Sequence, residues 1–376
     1  MMESEPLPVA VIGVGGVGGL TLQGLRGSPL VKVVGLADKD PAVAERVGRE
    51  TGVPAYSDNR RLLAETQPRA VYLAVPPMAA PELLAACAER GIHVWKELPL
   101  ARNLDEGVGI VRRAEQAGVK LAVGTQRRFA CGYRRARELR RRLGKVFLAR
   151  AHYLFNWGSV LGWRGDKASS GGGALLELGY HPIDLLVWML GLPEEVYGIS
   201  AGVTRPEKPE PTQPALPIYD TDDTAAAVLR YADGAMATVV TTRSSGPVGE
   251  ELSLHGRGGS LTANGESCLL RDPDGNVLDR IADDAPPAAV FRNQVEAFAS
   301  AVISDAKTYE CSGRENLLDL AVIEAVYLSD RTSQPENPGR LLSTRGLSVE
   351  DCLVHCPQES GPQRADEAKP AGAKES

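Results

Sequence analysis

The chain has 376 residues, of which 43% are hydrophobic and 24% charged, an ordinary composition for a soluble protein of two domains. A net charge of -6 with no long basic stretch argues against a nucleic-acid partner, and the one dense run, RRARELRRR at 134–142, reads as a solvated helix face. The chain opens without a charged segment leading into an apolar run, and no apolar run reaches the ~18 residues that span a bilayer. The expectation is a cytoplasmic protein with no membrane partner. Six scattered cysteines show no paired metal-ligand spacing apart from Cys352, His355 and Cys356, so they read as reduced thiols and no metal is expected.

The apolar stretch Pro8 to Ile12 runs straight into GVGGVG, and an apolar helix pattern starts near Leu20. A second strand, VKVVGLAD, ends at Asp38, twenty residues beyond Gly18. Strand, glycine turn, helix and a distant acid together form a dinucleotide fingerprint. Gly13 makes the tight turn, Gly15 lets a pyrophosphate meet backbone N–H groups, and Gly18 lets helix pack on strand. Asp38 takes the ribose hydroxyls, which favours NAD over NADP. Helices at about 41–51, 59–66, 79–90 and up to 117 alternate with strands at 70–75, 92–95 and 120–123, predicting a doubly wound parallel sheet. Ligands bind such sheets at the carboxyl ends of the strands, which assigns Gly13, Val14, Gly15, Gly16, Val17, Gly18, Asp38, Val75, Pro76 and Glu97 to cofactor binding.

After Gln126 the pattern changes to strand-like runs at about 145–155, 194–203, 223–231, 235–243, 250–255 and 259–271, predicting a mostly antiparallel sheet. Turn residues at 232–234 and 274–276 join neighbouring runs as hairpins. Five prolines between Thr204 and Tyr219 mark a surface loop. Amphipathic helices follow at about 290–304 and 313–331. The expected division is a dinucleotide-binding domain over 6–126, an α+β domain over 127–338, and an extension over 339–376. From about 357 the extension has little to bury and reads as disordered.

The stretch SSGGGALLELGYHPIDLLVWMLGL, 169–192, couples a glycine run to an apolar helix pattern. Gly171 to Gly173 permit close approach of backbone to a ligand. Glu177, His181 and Asp184, spaced by four and then three, fall on one face of a single helix. A buried polar stripe must be satisfied internally or by a ligand, and a core helix with one hydrogen-bonded histidine is the plain alternative.

These segments resemble the Gfo/Idh/MocA oxidoreductases, through AVIGVGGVGG, GIHVWKELPLA at 91–101, QRRF at 126–129, GWRGDKASSGGGALLELGYHPID at 162–184, and RNQVEAFASAV followed by AVIEAVYLSD. The resemblance covers about Pro8 to Asn337. It implies a Rossmann domain over 6–126, a second α+β domain over 127–338 built on a large open, mostly antiparallel sheet for substrate and oligomer contacts, bound NAD(P) and redox chemistry at a hydroxyl or carbonyl of a sugar or cyclitol. It also implies a homodimer or homotetramer paired through the open sheet face. Two positions depart from the family pattern. Its Glu-Lys-Pro triplet reads Glu97, Leu98, Pro99, and its aspartate before the histidine is Glu177. The expected roles are acid/base chemistry at His181, with Asp184 or Glu177 orienting the imidazole, and Lys96 supplying the positive charge missing at Leu98. Arg127, Tyr153, Asn156, Trp163 and Arg164 are expected substrate contacts. A glycosidase or lyase using NAD for transient oxidation, and a cofactor-binding protein with reduced catalysis, stay open as alternatives.

Overall fold

A computed structural model describes residues 5–158, 161–203, 219–283 and 287–353. The first sheet has strands β1 (Leu7–Ile12), β2 (Val31–Ala37), β3 (Ala55–Tyr56), β4 (Ala70–Leu73), β5 (His93–Lys96) and β6 (Leu121–Val123). All pairs are parallel, in the order β3-β2-β1-β4-β5-β6. The order reverses beside β1, which opens a crevice at that strand's carboxyl end. Helices α1 (Val17–Arg26), α2 (Pro41–Thr51), α3 (Asn59–Thr66), α4 (Ala80–Glu89) and α5 (Leu104–Gln116) supply the crossovers. The expected doubly wound sheet is present. The two-residue β3 carries too little pattern to be read from sequence.

The chain then forms α6 (Cys131–Leu139), the long strand β7 (Val146–Asn156), and the short helices α7 (Lys167–Ser170) and α8 (Ala174–Glu177), followed by α9 (Tyr180–Leu190). Strands β8 (Glu195–Ala201), β9 (Thr224–Arg230), β10 (Met236–Thr242), β11 (Ser244–Gly256), β12 (Gly259–Ala263), β13 (Ser267–Arg271) and β14 (Val277–Ala282) complete an eight-stranded sheet with β7. Its order is β14-β13-β12-β11-β7-β10-β9-β8, with one parallel pair, β7 with β10. The run expected over 259–271 is two strands, because Asn264 Oδ1 accepts from the N–H groups of Glu266 and Ser267 and closes a turn between them.

Strand alternation decides which side of this sheet is covered. Val196, Leu229, Ala237, Ala149, Leu254, Leu261 and Leu270 stand opposite one another across seven strands, and all are fully buried. One residue along, Tyr197 and Val228 face each other on the open side, each about half exposed. Helices α6 and α9 and the later α11 (Gly313–Thr332) cover the buried side. A capping box, Ser312 with Glu315, starts α11. Before it, α10 (Pro287–Ile303) packs on α1, and its Val295, Phe298, Ala299 and Val302 join the core of β1, β2 and β4. The chain thus returns to the first sheet after building the second. Beyond α11, α12 (Pro338–Ser343) and α13 (Val349–Cys352) dock on it through Leu342 and Cys352, both fully buried.

The basic run on α6 is held by the protein rather than left to water. Arg134 pairs with Glu310 at 2.6 Å, Arg135 with Asp279 at 2.6 Å, and Arg137 donates to the Trp188 carbonyl. Cys87, Cys131, Cys268, Cys311 and Cys352 are unpaired, and no metal-binding cluster occurs among the described residues. Among the described residues no helix is long and apolar enough to cross a membrane. Nearly all of the proline-rich stretch, with Cys356, His355 and the tail expected to be disordered, lies outside the described residues.

Candidate active site

The glycine turn has two kinds of glycine. A methyl group on Gly13, whose φ is 86°, would overlap the Ala74 carbonyl, and one on Gly18 would overlap the Gly13 carbonyl, so both are needed for packing. Gly15 and Gly16 have open space where a side chain would go. No side chain caps α1 and no acid sits in its first turn, which leaves a helix N-terminus open to an anion. Asp38 closes one side of this cradle. Its Oδ2 accepts from Val14 N and its Oδ1 from Asp40 N, each at 3.0 Å, and each oxygen keeps a further lone pair for a ribose hydroxyl. Val75 and Pro76 follow β4 and are half-buried. These residues fit a dinucleotide.

Glu97 lies at the end of β5 over Gly124, where an added methyl would meet its carboxylate. Thr21 Oγ1 donates to the Tyr72 hydroxyl at 2.9 Å, and Tyr72 donates to Glu97 Oε1 at 2.6 Å. Burial pushes the Glu97 carboxyl up to about 7. Lys96 does not take over from Leu98. Strand β5 ends at Lys96, and the chain turns so that Nζ donates back to the carbonyls of Glu97 and Pro99 in the protein interior. Burial lowers this ammonium to about 8, and Leu98 packs against the core. The extended geometry required for Lys96 and Leu98 to share a face is lost at the strand end.

The stretch after β6 joins the two sheets. Arg127 pairs with Glu250 on β11 at 2.8 Å and donates to the Tyr153 hydroxyl on β7 at 3.1 Å. Arg128, fully buried, makes a forked contact with Asp184 on α9, the shortest bond 2.6 Å, and reaches Glu315 on α11 at 3.4 Å. His181 is 8% exposed, meets the Tyr153 ring edge-on at 5.4 Å, and has its Nδ1 buried without a partner among the described residues. Burial, then the charge of Arg127, holds this imidazole well below the usual histidine range.

The expected polar stripe is therefore divided. Glu177 ends α8, His181 is in the first turn of α9, and the chain breaks between them at Leu178 and Gly179, where an added methyl would clash with the Leu175 carbonyl. Neither acid contacts the imidazole. Asp184 serves Arg128, and Glu177 accepts from Arg164 Nε at 2.5 Å. A second buried acid, Asp319, finds no N–H donor among the described residues. Burial and then the Asp184 charge raise it well above the usual carboxylate range.

The glycine run is also a packing device. Methyls on Gly171, Gly172 and Gly173 would strike Arg102, the Tyr327 hydroxyl and the Asp222 backbone, so each glycine is needed where the chain packs on itself. Asp222 accepts from Gly173 N and Leu175 N at 2.8 Å and from the Tyr327 hydroxyl at 2.7 Å. A cavity of about 490 Å³ on this side, lined by Arg102, Lys167, Gly171, Glu324 and Tyr327, includes none of the expected catalytic, cofactor or substrate residues apart from that glycine of the run.

The Arg164 guanidinium lies between the rings of Trp157 and Trp163, at 4.2 and 4.4 Å from their centroids. Asn156 Oδ1 accepts from Gly158 N and shapes the exit of β7. Sequence reasoning missed Glu250, Trp157, Arg128, Glu315 and Asp319. Trp157 is the next residue after Asn156, and the second arginine of QRRF signals Arg128. Glu250 and the two acids on α11 become visible only through strand register and helix packing.

Residues 7–125 match the oxidoreductase family with the NAD-binding Rossmann fold, and residues 133–262 match the GFO/IDH/MocA C-terminal domain. The chain belongs to the GFO/IDH/MocA oxidoreductase family. The chain is similar to D-xylose 1-dehydrogenase (NADP(+)) 2 of Haloferax volcanii, 28% identical over 79% of this chain and 89% of that protein. It is also similar to myo-inositol dehydrogenase Hyg17 of Streptomyces leeuwenhoekii, 29% identical over 78% and 87%. The levoglucosan dehydrogenase structure in complex with NADH and levoglucosan shares the fold, with a TM-score of 0.80 and 21% identity over 88% of this chain and 99% of that one.

Proposed function

We propose that this GFO/IDH/MocA protein is an NAD-dependent dehydrogenase that moves a hydride between the nicotinamide and a hydroxyl-bearing carbon of a sugar or cyclitol. The observation that carries the reading is the pair Arg127 and Arg128. After the last cofactor-sheet strand they reach Tyr153, whose ring touches His181, and Asp184, on the helix that carries His181. The cofactor supplies the hydride acceptor. An imidazole held neutral takes the hydroxyl proton, while Tyr153, Arg164 and the flanking tryptophans offer a sugar polar contacts and flat apolar surface. Glu177 acts by holding Arg164, Asp184 by fixing α9, and Lys96 by tying the turn at Pro99.

Asp38 favours NAD, because a 2'-phosphate would meet its carboxylate. Unpaired cysteines accord with a reducing cytoplasm. Exposed Tyr197, Ile199, Val228 and Val240 support self-association of two or four copies through the open sheet face. The test is a panel of sugars and cyclitols with NAD and with NADP, following reduced nicotinamide, together with His181→Ala. The expected result is turnover on at least one polyol, tighter binding of NADH than NADPH, and a ~10²- to 10⁴-fold loss of kcat in His181→Ala at unchanged NADH affinity. Release of a cleaved or dehydrated product without net NADH would overturn the dehydrogenase reading.

A further inference from the structure

The contact between Arg127 and Tyr153 leaves one proton unaccounted for. A guanidinium only donates, so the Tyr153 oxygen is the acceptor of that bond and its own O–H must find another acceptor. None of the described residues provides one. The arrangement is braced. Tyr153 and Glu250 stand opposite each other on paired strands, Glu250 holds Arg127 at 2.8 Å, and the guanidinium lies 5.3 Å from the Tyr153 ring centroid. The Tyr153 ring in turn meets the His181 imidazole edge-on. A phenol with an unused proton and an imidazole with an unpartnered nitrogen are therefore rings in direct contact.

We propose that Tyr153 is a second catalytic residue, its hydroxyl oxygen fixed by Arg127 and its O–H donating to the substrate oxygen whose proton His181 removes. This rests on the dehydrogenase reading above. As the alcohol is oxidised, the C–H bond breaks with its electron pair going to the nicotinamide, the O–H proton passes to the imidazole, and C–O becomes C=O. Tyr153 keeps its proton throughout. Its hydrogen bond strengthens while negative charge builds on the oxygen and weakens once the carbonyl is formed, so it lowers the barrier rather than tightening ground-state binding.

The charged neighbours of the imidazole are accounted for element by element. Glu177 is held by Arg164, Asp184 by Arg128, Glu315 and Asp319 on α11 stay with the Arg128 and Asp184 cluster, and Glu250 on β11 stays with Arg127. Arg127 is the charge that acts on His181.

Tyr153→Phe keeps the ring and its contact with His181 and removes only the O–H. The expected result is a ~10²- to 10³-fold lower kcat, with KM, NADH affinity and melting temperature near those of the parent. Arg127→Gln should move the acid limb of the kcat/KM profile to higher pH, and Arg127→Lys should restore it in part. A measurement without cofactor accompanies these. The His181 ring signal, assigned by its loss in His181→Gln, is titrated by NMR, and its midpoint should rise in Arg127→Gln and stay in place in Tyr153→Phe. A parental kcat in Tyr153→Phe, on a polyol that the parent oxidises, overturns the role of Tyr153 and leaves the dehydrogenase reading standing. An unmoved His181 titration in Arg127→Gln overturns the arrangement itself. A shifted titration in a parent that oxidises no polyol supports the arrangement and removes the dehydrogenase reading instead.

Discussion

Two neighbouring residues show how burial sets the work of a charged group. Glu97, raised to about 7 from an ordinary 4.5, keeps its proton in the fold across a window in which the unfolded chain has released it. Its contribution to stability is full at low pH and is lost as pH rises through that window. Glu97→Gln, which cannot ionise, should leave the melting temperature unchanged near pH 5 and raise it near pH 8. The gain is at most ~3 kcal/mol, read from thermal unfolding of the cofactor-free protein. An equal shift at both pH values would rule this out. Lys96 points the opposite way. Its ammonium satisfies two backbone carbonyls, and Lys96→Met strands them at a cost of about 1 to 3 kcal/mol. The variant should unfold at lower denaturant while its pH–rate profile matches the parent's. A changed profile at parental stability would restore a chemical role to Lys96.

At the scale of elements, the two glycine segments look alike and act differently. Space above Gly15 is open, whereas space at Gly173 is filled by the backbone of Asp222. Gly15→Ala should keep the parental melting temperature and weaken NADH binding, by about tenfold or more, because the added methyl occupies the side from which a phosphate approaches. Gly173→Ala should lower stability by several kcal/mol, on the order of other overpacked sites, and affect cofactor affinity little in the protein that still folds. Fluorescence titration with NADH alongside thermal melting separates the two, and the pattern is refuted if Gly15→Ala is the less stable variant. The break between α8 and α9 belongs to the same scale. Gly179 lets the chain turn between the two helices, so Glu177 faces Arg164 while Asp184 faces Arg128.

At the scale of the molecule, the eight-stranded sheet is covered on one side and open on the other. Ile199, Ala226 and Val240 form a row on the open side, with Tyr197 and Val228 in the next row. A second copy of the chain would bury both rows. Light scattering coupled to size exclusion should report a dimer or tetramer, and the pair Ile199→Lys with Val240→Lys should shift it toward monomer while melting remains cooperative. A parental protein that is monomeric at micromolar concentration would refute the assembly.

The elements were legible wherever a local rule applies. Strand, glycine turn, helix and Asp38 sit within one crossover unit, so the spacing of neighbouring residues sufficed for the cofactor domain. Period-two alternation likewise identified most strands of the second sheet. The partners of the charged side chains were not legible. Helical spacing placed Glu177, His181 and Asp184 on one face, but a helix break and two arginines on other segments decided what each acid meets. The same holds for Lys96, turned inward where β5 ends, and for Glu250, brought to Arg127 by strand register. Local backbone preference and hydrophobic period are properties of a few consecutive residues and survive in the sequence. The pairing of buried charges is fixed by which distant segments share a low-dielectric interior, and only the tertiary structure decides that.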